Sequence, residues 1–417
     1  MARVPSPRTA LSVLTGLNFL NYVDRFIPAA ILSTILGSFG LSDTKGGFLQ
    51  TLFILTMVVV SPLAGWLGDR QPRFRLAAAG VLIWSAATFA SGLAPTYAAL
   101  VVARAVIGVG EASYTVVTPS LLSDFYPTSR RGWALAIFYS AIPMGSAMGY
   151  VLGGQIAKHF GWRYAFFAAG LPGLALALLL LFFRDPPRGV QDVRARAKER
   201  DGSVSSVEII AGALRELFAR RSFVFNTAAQ TIYTFAVGGL AVWMPTYFVR
   251  ERGMAEATAS TAFGGVLALA GFAGTLIGGR LGDRVGRRRS DAHFVVSGVA
   301  LVASLPFTLL AILSPAPAIF WPSMFISLTL LFLNMGPLNA AMANVLPAAL
   351  RGRGFAFNTM AIHLLGDAAS PTLIGAASDH LGGLRLPVLA TGALMVVAGL
   401  VLLAGRGALR RDLAAVA

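Results

Sequence analysis

The sequence contains no cysteine and few charged side chains, and both absences exclude classes of protein. Without cysteine the chain can form neither a disulfide nor a thiolate metal site. Its four histidines lie far apart in the sequence, so neither a metal site nor a bound cofactor is expected. Charged residues are only 12% of the chain, about half the share found in soluble domains. With 56% hydrophobic residues and a mean hydropathy of +0.71, the chain is expected to be a membrane protein.

Long apolar segments separated by charged loops predict an all-α protein that crosses the membrane twelve times. One crossing needs roughly 20 apolar residues, which matches the length of these segments. The predicted spans are 10–36, 46–68, 74–94, 97–122, 131–158, 162–183, 222–249, 256–281, 291–313, 317–343, 352–379 and 384–405.

Lysine and arginine are unevenly distributed between the two predicted sides of the membrane. With the N-terminus inside, 26 of the 34 basic residues fall on the cytoplasmic side and six on the other. The positive-inside rule therefore places both termini in the cytoplasm. Because the basic residues are spread over loop ends, membrane topology and contact with anionic lipids account for the net charge of +16. Nucleic acid is not expected as a partner.

The chain has a polar midpoint at residues 184–206, which separates six predicted spans from six. This predicts two six-helix bundles, over 1–183 and 222–417, joined by a cytoplasmic linker over 184–221. Within the linker, apolar residues at helical spacing predict an interfacial amphipathic helix, for which a regulatory role is an alternative. Its apolar face is formed by Val207, Ile210, Leu214, Leu217 and Phe218.

An internal repeat relates the two halves. The segment GWLGDRQPRFR at 65–75 recurs as GRLGDRVGRRR at 279–289, an offset of 214 residues. A second match pairs Arg131 with Arg351 at an offset of 220 residues. The halves are therefore duplicated units that run in the same direction, as in transporters with parallel repeats.

These two loops resemble motif A of the major facilitator superfamily, although Pro72 replaces the second glycine in the first copy. The resemblance implies the major facilitator fold, with 6+6 pseudo-symmetry. It also implies that charged residues around the loops latch the cytoplasmic helix ends, and two copies at matched positions disfavour ordinary solvated loop charge. The implied gating residues are Asp69, Arg70, Arg131, Asp283, Arg284 and Arg351.

Two further helices carry motifs of the same superfamily. Arg104 and Glu111 lie seven residues apart, hence on one helix face, in a segment that resembles motif B. The segment 143–154 places Pro143 before four glycines and resembles the motif C of exporters and antiporters. Physically it is a ridge of small residues for close helix packing, and it favours export as the direction of transport.

Five charged residues lie inside predicted spans, where exposure to lipid is costly, so they are expected to face the bundle interior. They are Asp24, Arg25, Arg104, Glu111 and Asp367. One interpretation is a static network of ion pairs that holds helices together. The other is a proton-coupling site formed by Asp24, Glu111, Arg25 and Arg104, with Asp24 as the first candidate proton carrier and Glu111 the second.

Several segments closely resemble the spinster family of lipid transporters, from the first helix to the eleventh. They include NFLNYVDRF at 18–26, RDPPRG at 184–189 and HLLGDAASPTLIG at 363–375. The resemblance implies a lipid-like substrate, and short loops rich in alanine and glycine indicate a bacterial member. Polar residues of these segments, with an aromatic residue of helix seven, are the candidate substrate-binding residues. They are Arg25, Tyr150, Asn21, Tyr22, His363, Asp367 and Trp243.

The expected function is secondary active transport in the bacterial inner membrane, driven by a proton gradient without another cofactor. A monomer is expected to export an amphipathic lipid-like substrate by alternating access. The alternative is proton-coupled efflux of drugs or other small organic molecules. A channel or scramblase is disfavoured by the duplicated gating loops. An enzyme is not expected, because the sequence has no GxSxG segment, P-loop or metal cluster.

Overall fold

The computed structural model describes residues 4–188 and 206–415, and helices make up almost all of these residues. Side chains of 128, 129, 206–211, 213, 348 and 349 are not described. The helices are α1 Pro7–Ala30, α2 Leu32–Phe39, α3 Asp43–Arg70, α4 Arg73–Leu93, α5 Tyr97–Phe125, α6 Thr128–Phe160, α7 Trp162–Leu181, α8 Ser206–Ala219, α9 Arg221–Arg252, α10 Glu256–Gly286, α11 Ala292–Leu313, α12 Pro317–Phe332, α13 Met335–Val345, α14 Ala348–Ala361, α15 Ser370–Leu381 and α16 Arg385–Ala414.

The all-α prediction is confirmed, and so is a multi-pass membrane protein. Ten segments of the described chain are helical, long and apolar enough to cross a membrane, and an eleventh is the pair α1 and α2, bent by 54°. The eleventh predicted span, over 352–379, is divided among α14, a π-helical segment Ile362–Asp367 and α15.

Three spans predicted as single helices are interrupted, and each contains a proline close to the interruption. The predicted helix over 10–36 ends at Ile31, whose backbone leaves the helical region, three residues after Pro28. The predicted helix over 317–343 divides at Leu333, whose carbonyl would accept a bond from residue 337, which is proline. Uninterrupted helices were therefore the wrong prediction at these places, because proline removes a backbone donor and clashes with the preceding turn.

A proline four residues after a carbonyl also accounts for the π-helical segment. There the N–H of Ala368 donates to the carbonyl of His363 over 3.0 Å, five residues back instead of four. Pro371 cannot donate to the carbonyl of Asp367, so the ordinary helical ladder is already incomplete at this point. Single π-helical turns of this kind often occur at functional sites.

Tertiary contacts divide the chain into two compact units. Unit 1 consists of Met1–Gly202 and Met244–Gly264, and unit 2 of Ser203–Trp243 and Gly265–Ala417. In unit 1, α1 packs against α6, and α4 packs against α5 and α7. In unit 2, α11 packs against α12 and α16. Each unit is therefore a bundle of long helices whose small residues permit close backbone contact.

Polar contacts at one end of the bundle join Met244–Gly264 to the other helices of unit 1. Arg250 Nη1 lies 2.6 Å from Asp43 Oδ1, at the start of α3. The hydroxyl of Ser260 donates to the carbonyl of Ala30 over 2.6 Å. The repeat places this segment in the second half of the sequence, whereas these contacts join it to the helices of the first.

The linker helix α8 packs against α14 in unit 2. Leu217 of its predicted apolar face is buried, whereas Phe218 is exposed and touches the ring of Phe357. The side chains of Val207 and Ile210 lie outside the described residues. The buried part of the face therefore packs on protein rather than on lipid alone.

Candidate functional site

A buried ion pair joins α1 to α5 inside unit 1. Arg25 Nη2 lies 2.6 Å from Glu111 Oε2, and Glu111 is fully buried. The guanidinium of Arg25 also lies 4.7 Å from the ring centre of Tyr22 and 5.2 Å from that of Phe53. A buried pair of this kind balances two charges that would each be costly alone.

Arg104 lies two turns before Glu111 on α5 and is also buried. Its Nη2 donates to the side-chain oxygen of Gln50 over 2.8 Å. Its guanidinium stands 4.5 Å from the ring centre of Phe53, so this ring of α3 contacts both arginines. Phe53 is a site residue that the sequence analysis missed, because an apolar residue in a membrane helix has no local signal that separates a cation–π partner from ordinary core.

Asp24 precedes Arg25 but does not share its ion pair. It is 3% exposed, and its Oδ2 accepts a 3.3 Å hydrogen bond from the hydroxyl of Thr88 on α4. Within the described residues its Oδ1 has no hydrogen-bond partner. An ionised carboxylate in this setting is costly unless a cation approaches or a proton binds. The geometry thus distinguishes the two carboxylates, because Glu111 is ion-paired with Arg25 whereas Asp24 accepts a hydrogen bond from Thr88.

The glycine ridge of α6 fixes the position of α1. A Cβ at Gly145 would lie 2.5 Å from the carbonyl oxygen of Phe19, and one at Gly149 would lie 2.7 Å from that of Val23. The prediction of close helix packing by this segment is confirmed, and its partner is the part of α1 that carries Asp24. The glycines therefore position the charged residues without contacting them.

The other predicted substrate residues of unit 1 lie on α1 and α6, the two helices that the glycine ridge brings together. Asn21 is fully buried, and within the described residues neither polar atom of its amide has a hydrogen-bond partner. Tyr150 is also fully buried, with its ring centre 5.2 Å from those of Phe26 and Phe263. Tyr22 stacks on Arg25, so of these three residues it is the one in contact with the ion pair.

The predicted residues of unit 2 form a second cluster at the π-helical segment. His363 Nδ1 lies 3.0 Å from both carboxylate oxygens of Asp367. Asp367 packs directly on Gly238 of α9, where a Cβ would come within 2.4 Å. The indole N–H of Trp243 donates to the carbonyl of Pro371 over 2.8 Å and fixes the start of α15. The structure therefore brings His363 and Asp367 together, and Trp243 holds the backbone at the start of α15.

The predicted gating arginines occupy matching places in the two units. Arg131 Nη2 donates to the carbonyl of Ser123 over 3.0 Å, and Arg351 Nε donates to the carbonyl of Leu346 over the same distance. Each thus satisfies a carbonyl at the end of the preceding helix. The other four predicted gating residues are exposed at the ends of α3 and α10; they are Asp69, Arg70, Asp283 and Arg284. Their role as latches stays a prediction.

Residues that the sequence analysis did not single out hold the first motif A loop. Arg73 Nη2 lies 2.5 Å from Asp124 Oδ2, and the backbone N–H of Arg73 donates to Asp185 over 2.6 Å. Arg188 donates to the carbonyl of Gly68 over 2.7 Å. The RDPPRG segment, which contains Asp185 and Arg188, was the available signal, but its partners become visible only in the fold.

The second motif A loop is followed by a buried carboxylate, Asp291, which precedes α11. Arg289 Nε and Arg410 Nη2 lie 3.0 and 2.6 Å from its two oxygens. Burial alone would raise the pKa of Asp291, but the hydrogen bonds and charges of the two arginines outweigh it, so its pKa is lowered. Its ionised form therefore stabilises the fold above the ordinary aspartate pKa of about 3.9, and this stabilisation is lost as pH falls through the lowered value.

We expect Asp291→Asn to lower the melting temperature of the purified protein by a few degrees at pH 7, because two arginines lose their carboxylate. The difference from the original chain should shrink as pH falls below about 4 and disappear below the lowered pKa, where Asp291 of the folded protein becomes protonated. Thermal unfolding of both proteins in detergent at pH 7, 5 and 3 tests this, with the exposed Asp379→Asn as a control. A difference that is independent of pH would contradict the argument.

Two units built from a duplicated sequence, with a buried charge cluster between α1 and α5, define a transporter of the major facilitator type. The sequence matches the Major Facilitator Superfamily over residues 14–371, and the chain belongs to it. The predicted fold class is confirmed, and the protein is a membrane transporter rather than an enzyme.

Within that superfamily the chain belongs to the spinster family. It is 34% identical over 401 residues to the sphingosine-1-phosphate transporter SPNS2 of Danio rerio, across 91% of this chain and 78% of that protein. It is also 34% identical over 396 residues to protein spinster homolog 1 of Homo sapiens, across 90% of this chain and 74% of that protein. The family predicted from the local motifs is thereby confirmed.

A solved structure shares the fold. The crystal structure of a bacterial homologue of the human lysosomal transporter Spinster superposes with a TM-score of 0.86. The alignment covers 98% of both chains at 23% identity. At that identity the likeness concerns the fold alone.

Proposed function

We propose that this chain is a proton-coupled secondary transporter that exports an amphipathic, lipid-like substrate by alternating access. The observation that carries the proposal is a difference between two buried carboxylates: Glu111 forms a 2.6 Å ion pair with Arg25, whereas Asp24 forms no ion pair with any described residue. Two guanidinium groups, those of Arg25 and Arg104, near two buried acids form an arrangement that a proton can switch.

The coupling follows from competition for Arg25. While Asp24 holds a proton it is neutral, and Arg25 stays with Glu111 at 2.6 Å. When the proton leaves, the negative charge of Asp24 attracts the guanidinium groups of the cluster and weakens the hold of Arg25 on Glu111. Because Arg25 lies on α1 and Glu111 on α5, the exchange changes the attachment between two helices of unit 1. Protonation therefore shifts the balance between conformations.

The substrate class is supported by the surroundings of Arg25. Its guanidinium can pair with an anionic head group, and the rings of Tyr22 and Phe53 lie beside it. A molecule with a charged end and an apolar tail suits this combination. The relative from Danio rerio is named as a sphingosine-1-phosphate transporter, which agrees with a phosphate head group.

An alternative cargo is a cationic amphipathic drug or another small organic molecule. The favouring observation is Asp24 itself, whose Oδ1 has no hydrogen-bond partner in the described part of the chain. A substrate cation could take the place of the proton there. Transport would remain coupled to protons, but the cargo would bind the acid instead of Arg25.

The proposal includes a topology and an oligomeric state. The proposed location is a bacterial inner membrane, on the ground of the short loops rich in alanine and glycine. Both termini lie in the cytoplasm, because 26 of the 34 basic residues fall on that side. It works as a monomer, and its other partners are the surrounding membrane lipids. No cofactor is required beyond the proton gradient.

Transport into proteoliposomes tests the function. The purified chain is reconstituted, and uptake of radiolabelled sphingosine-1-phosphate and of a lysophospholipid is measured with and without an imposed pH gradient. We expect the gradient to increase uptake several-fold over that in protein-free liposomes. Equal fluxes with and without the gradient would indicate a scramblase. Gradient-driven movement of a cationic dye without lipid uptake would favour the alternative cargo.

A further inference from the structure

A cavity of about 930 Å³ opens in unit 1 at the end where α1 and α6 begin and α5 ends. Arg8 and Arg130 line it, and both are exposed. Its aromatic wall includes Tyr126 and Trp133, the latter 59% exposed. The hydroxyl of Tyr126 donates to the carbonyl of Pro7 over 2.9 Å and joins the helix ends that form the cavity.

The duplicated sequence supplies an internal comparison for this cavity. The offset of 220 residues relates the end of α5 and the start of α6 to the end of α13 and the start of α14. In unit 2, α8 packs close to that place, against α14. Leu217 of α8 is 1% exposed and lies against Gly354, where a Cβ would be 3.2 Å away. Arg220, just after α8, donates to the carbonyl of Val345 over 2.9 Å.

The two copies of the cleft are therefore in different states. In unit 2 the amphipathic helix α8 packs at these helix ends, whereas in unit 1 the described residues leave a cavity there. The open copy keeps the apolar wall that an occupant would bury, and it adds two arginines at the rim. An occupant that suits both features has an apolar part and an anionic group.

The position in the membrane identifies the source of such a molecule. On the topology proposed above, these helix ends lie at the cytoplasmic surface, where anionic lipids concentrate and where tryptophan and tyrosine prefer to sit. We infer that the cavity binds an anionic phospholipid of the cytoplasmic leaflet. The phosphate lies between Arg8 and Arg130, and the start of an acyl chain packs against Trp133 and Phe125.

This site is separate from the candidate transport site. Arg8 and Arg25 are 17 residues apart on α1, about 25 Å along a helix axis. A lipid bound here connects the beginnings of α1 and α6, the two helices whose close contact positions Asp24. Its expected effect is to stabilise the folded protein without entering the transport pathway, so the inference does not depend on the cargo.

Native mass spectrometry of the full-length protein in detergent tests the inference, with phosphatidylglycerol as the anionic lipid and phosphatidylcholine as the neutral one. We expect tighter binding of phosphatidylglycerol and a higher melting temperature in its presence. Arg8→Gln combined with Arg130→Gln should weaken phosphatidylglycerol binding about tenfold, because both phosphate partners are lost. Ser6→Trp, which keeps both charges but fills the cavity, should also abolish the stabilisation.

The matched control is Arg287→Gln combined with Arg288→Gln, which removes two exposed charges from the end of the second motif A loop. It should bind phosphatidylglycerol as the original chain does. An equal loss of phosphatidylglycerol binding in this control would show that binding depends only on net charge, and it would contradict the proposed site. Unchanged binding in both cavity variants, or displacement of the lipid by inorganic phosphate alone, would overturn it as well.

Discussion

Replacing Asp24 by asparagine is expected to abolish accumulation of substrate driven by the pH gradient and leave the protein folded. The amide has the shape of the protonated acid and can keep the contact with Thr88, 3.3 Å away in the original chain. It cannot release a proton, so Arg25 loses the competing charge that would draw it from Glu111. Uptake with an imposed gradient should therefore fall to the level measured without one.

The measurement is the same proteoliposome assay, run with equal amounts of each protein and with melting temperatures recorded beforehand. Asp379→Asn, at an exposed carboxyl of α15, removes one charge elsewhere and should keep the gradient dependence. If Asp24→Asn transports with an unchanged response to pH, the proton is carried by another group. Glu111→Gln would then be the decisive variant, since Glu111 is the other buried acid of the cluster.

Adding side-chain atoms at Gly149 is expected to destabilise unit 1 strongly. A Cβ there would lie 2.7 Å from the carbonyl oxygen of Val23 and 3.0 Å from Cβ of Phe26, so α1 would have to move away from α6. Gly149→Ala should lower the free energy of unfolding by about 1–3 kcal/mol, the usual cost of overpacking. Gly149→Val, with two more carbons, should prevent recovery of folded protein.

Gly16 provides the matched control, because it lies on α1 and a Cβ there would meet nothing within 4 Å. Gly16→Ala should be neutral or should stabilise the helix by up to about 1 kcal/mol. Thermal unfolding in detergent, followed by fluorescence or by loss of the monodisperse peak, separates the two sites. Similar melting temperatures for Gly16→Ala and Gly149→Ala would show that α1 and α6 are not in the contact described.

The two substitutions test different requirements of one helix. Asp24 carries the chemistry of the site, whereas Gly149 allows α1 to come close enough for Arg25 and Asp24 to face α5 and α4. A transporter needs both, because a group that binds a proton can drive a conformational change only when its partners differ between conformations. Loss of folding in one variant and loss of coupling in the other would separate position from chemistry.

The sequence alone determined the features that depend on local composition. Hydropathy specified the membrane class and nearly all the spans, since a run of about 20 apolar residues is typical of a membrane-spanning helix. The repeat of motif A, together with segments such as NFLNYVDRF, identified the superfamily and the family. The charged residues of the site were also found this way, because an ionisable group inside a span is exceptional.

Only the tertiary structure decided which of these groups meet. Asp24 and Arg25 are neighbours in sequence but point about 100° apart around a helix, so Arg25 pairs with Glu111 and Asp24 faces Thr88. The effect of a proline on a helix was also not predictable from the sequence: α1 ends near Pro28, while α6 continues through Pro143. Whether a freed carbonyl bends a helix, and which ring or carboxylate receives a guanidinium, depends on neighbours far away in the chain. Those neighbours are brought together by packing between helices, which no local pattern encodes.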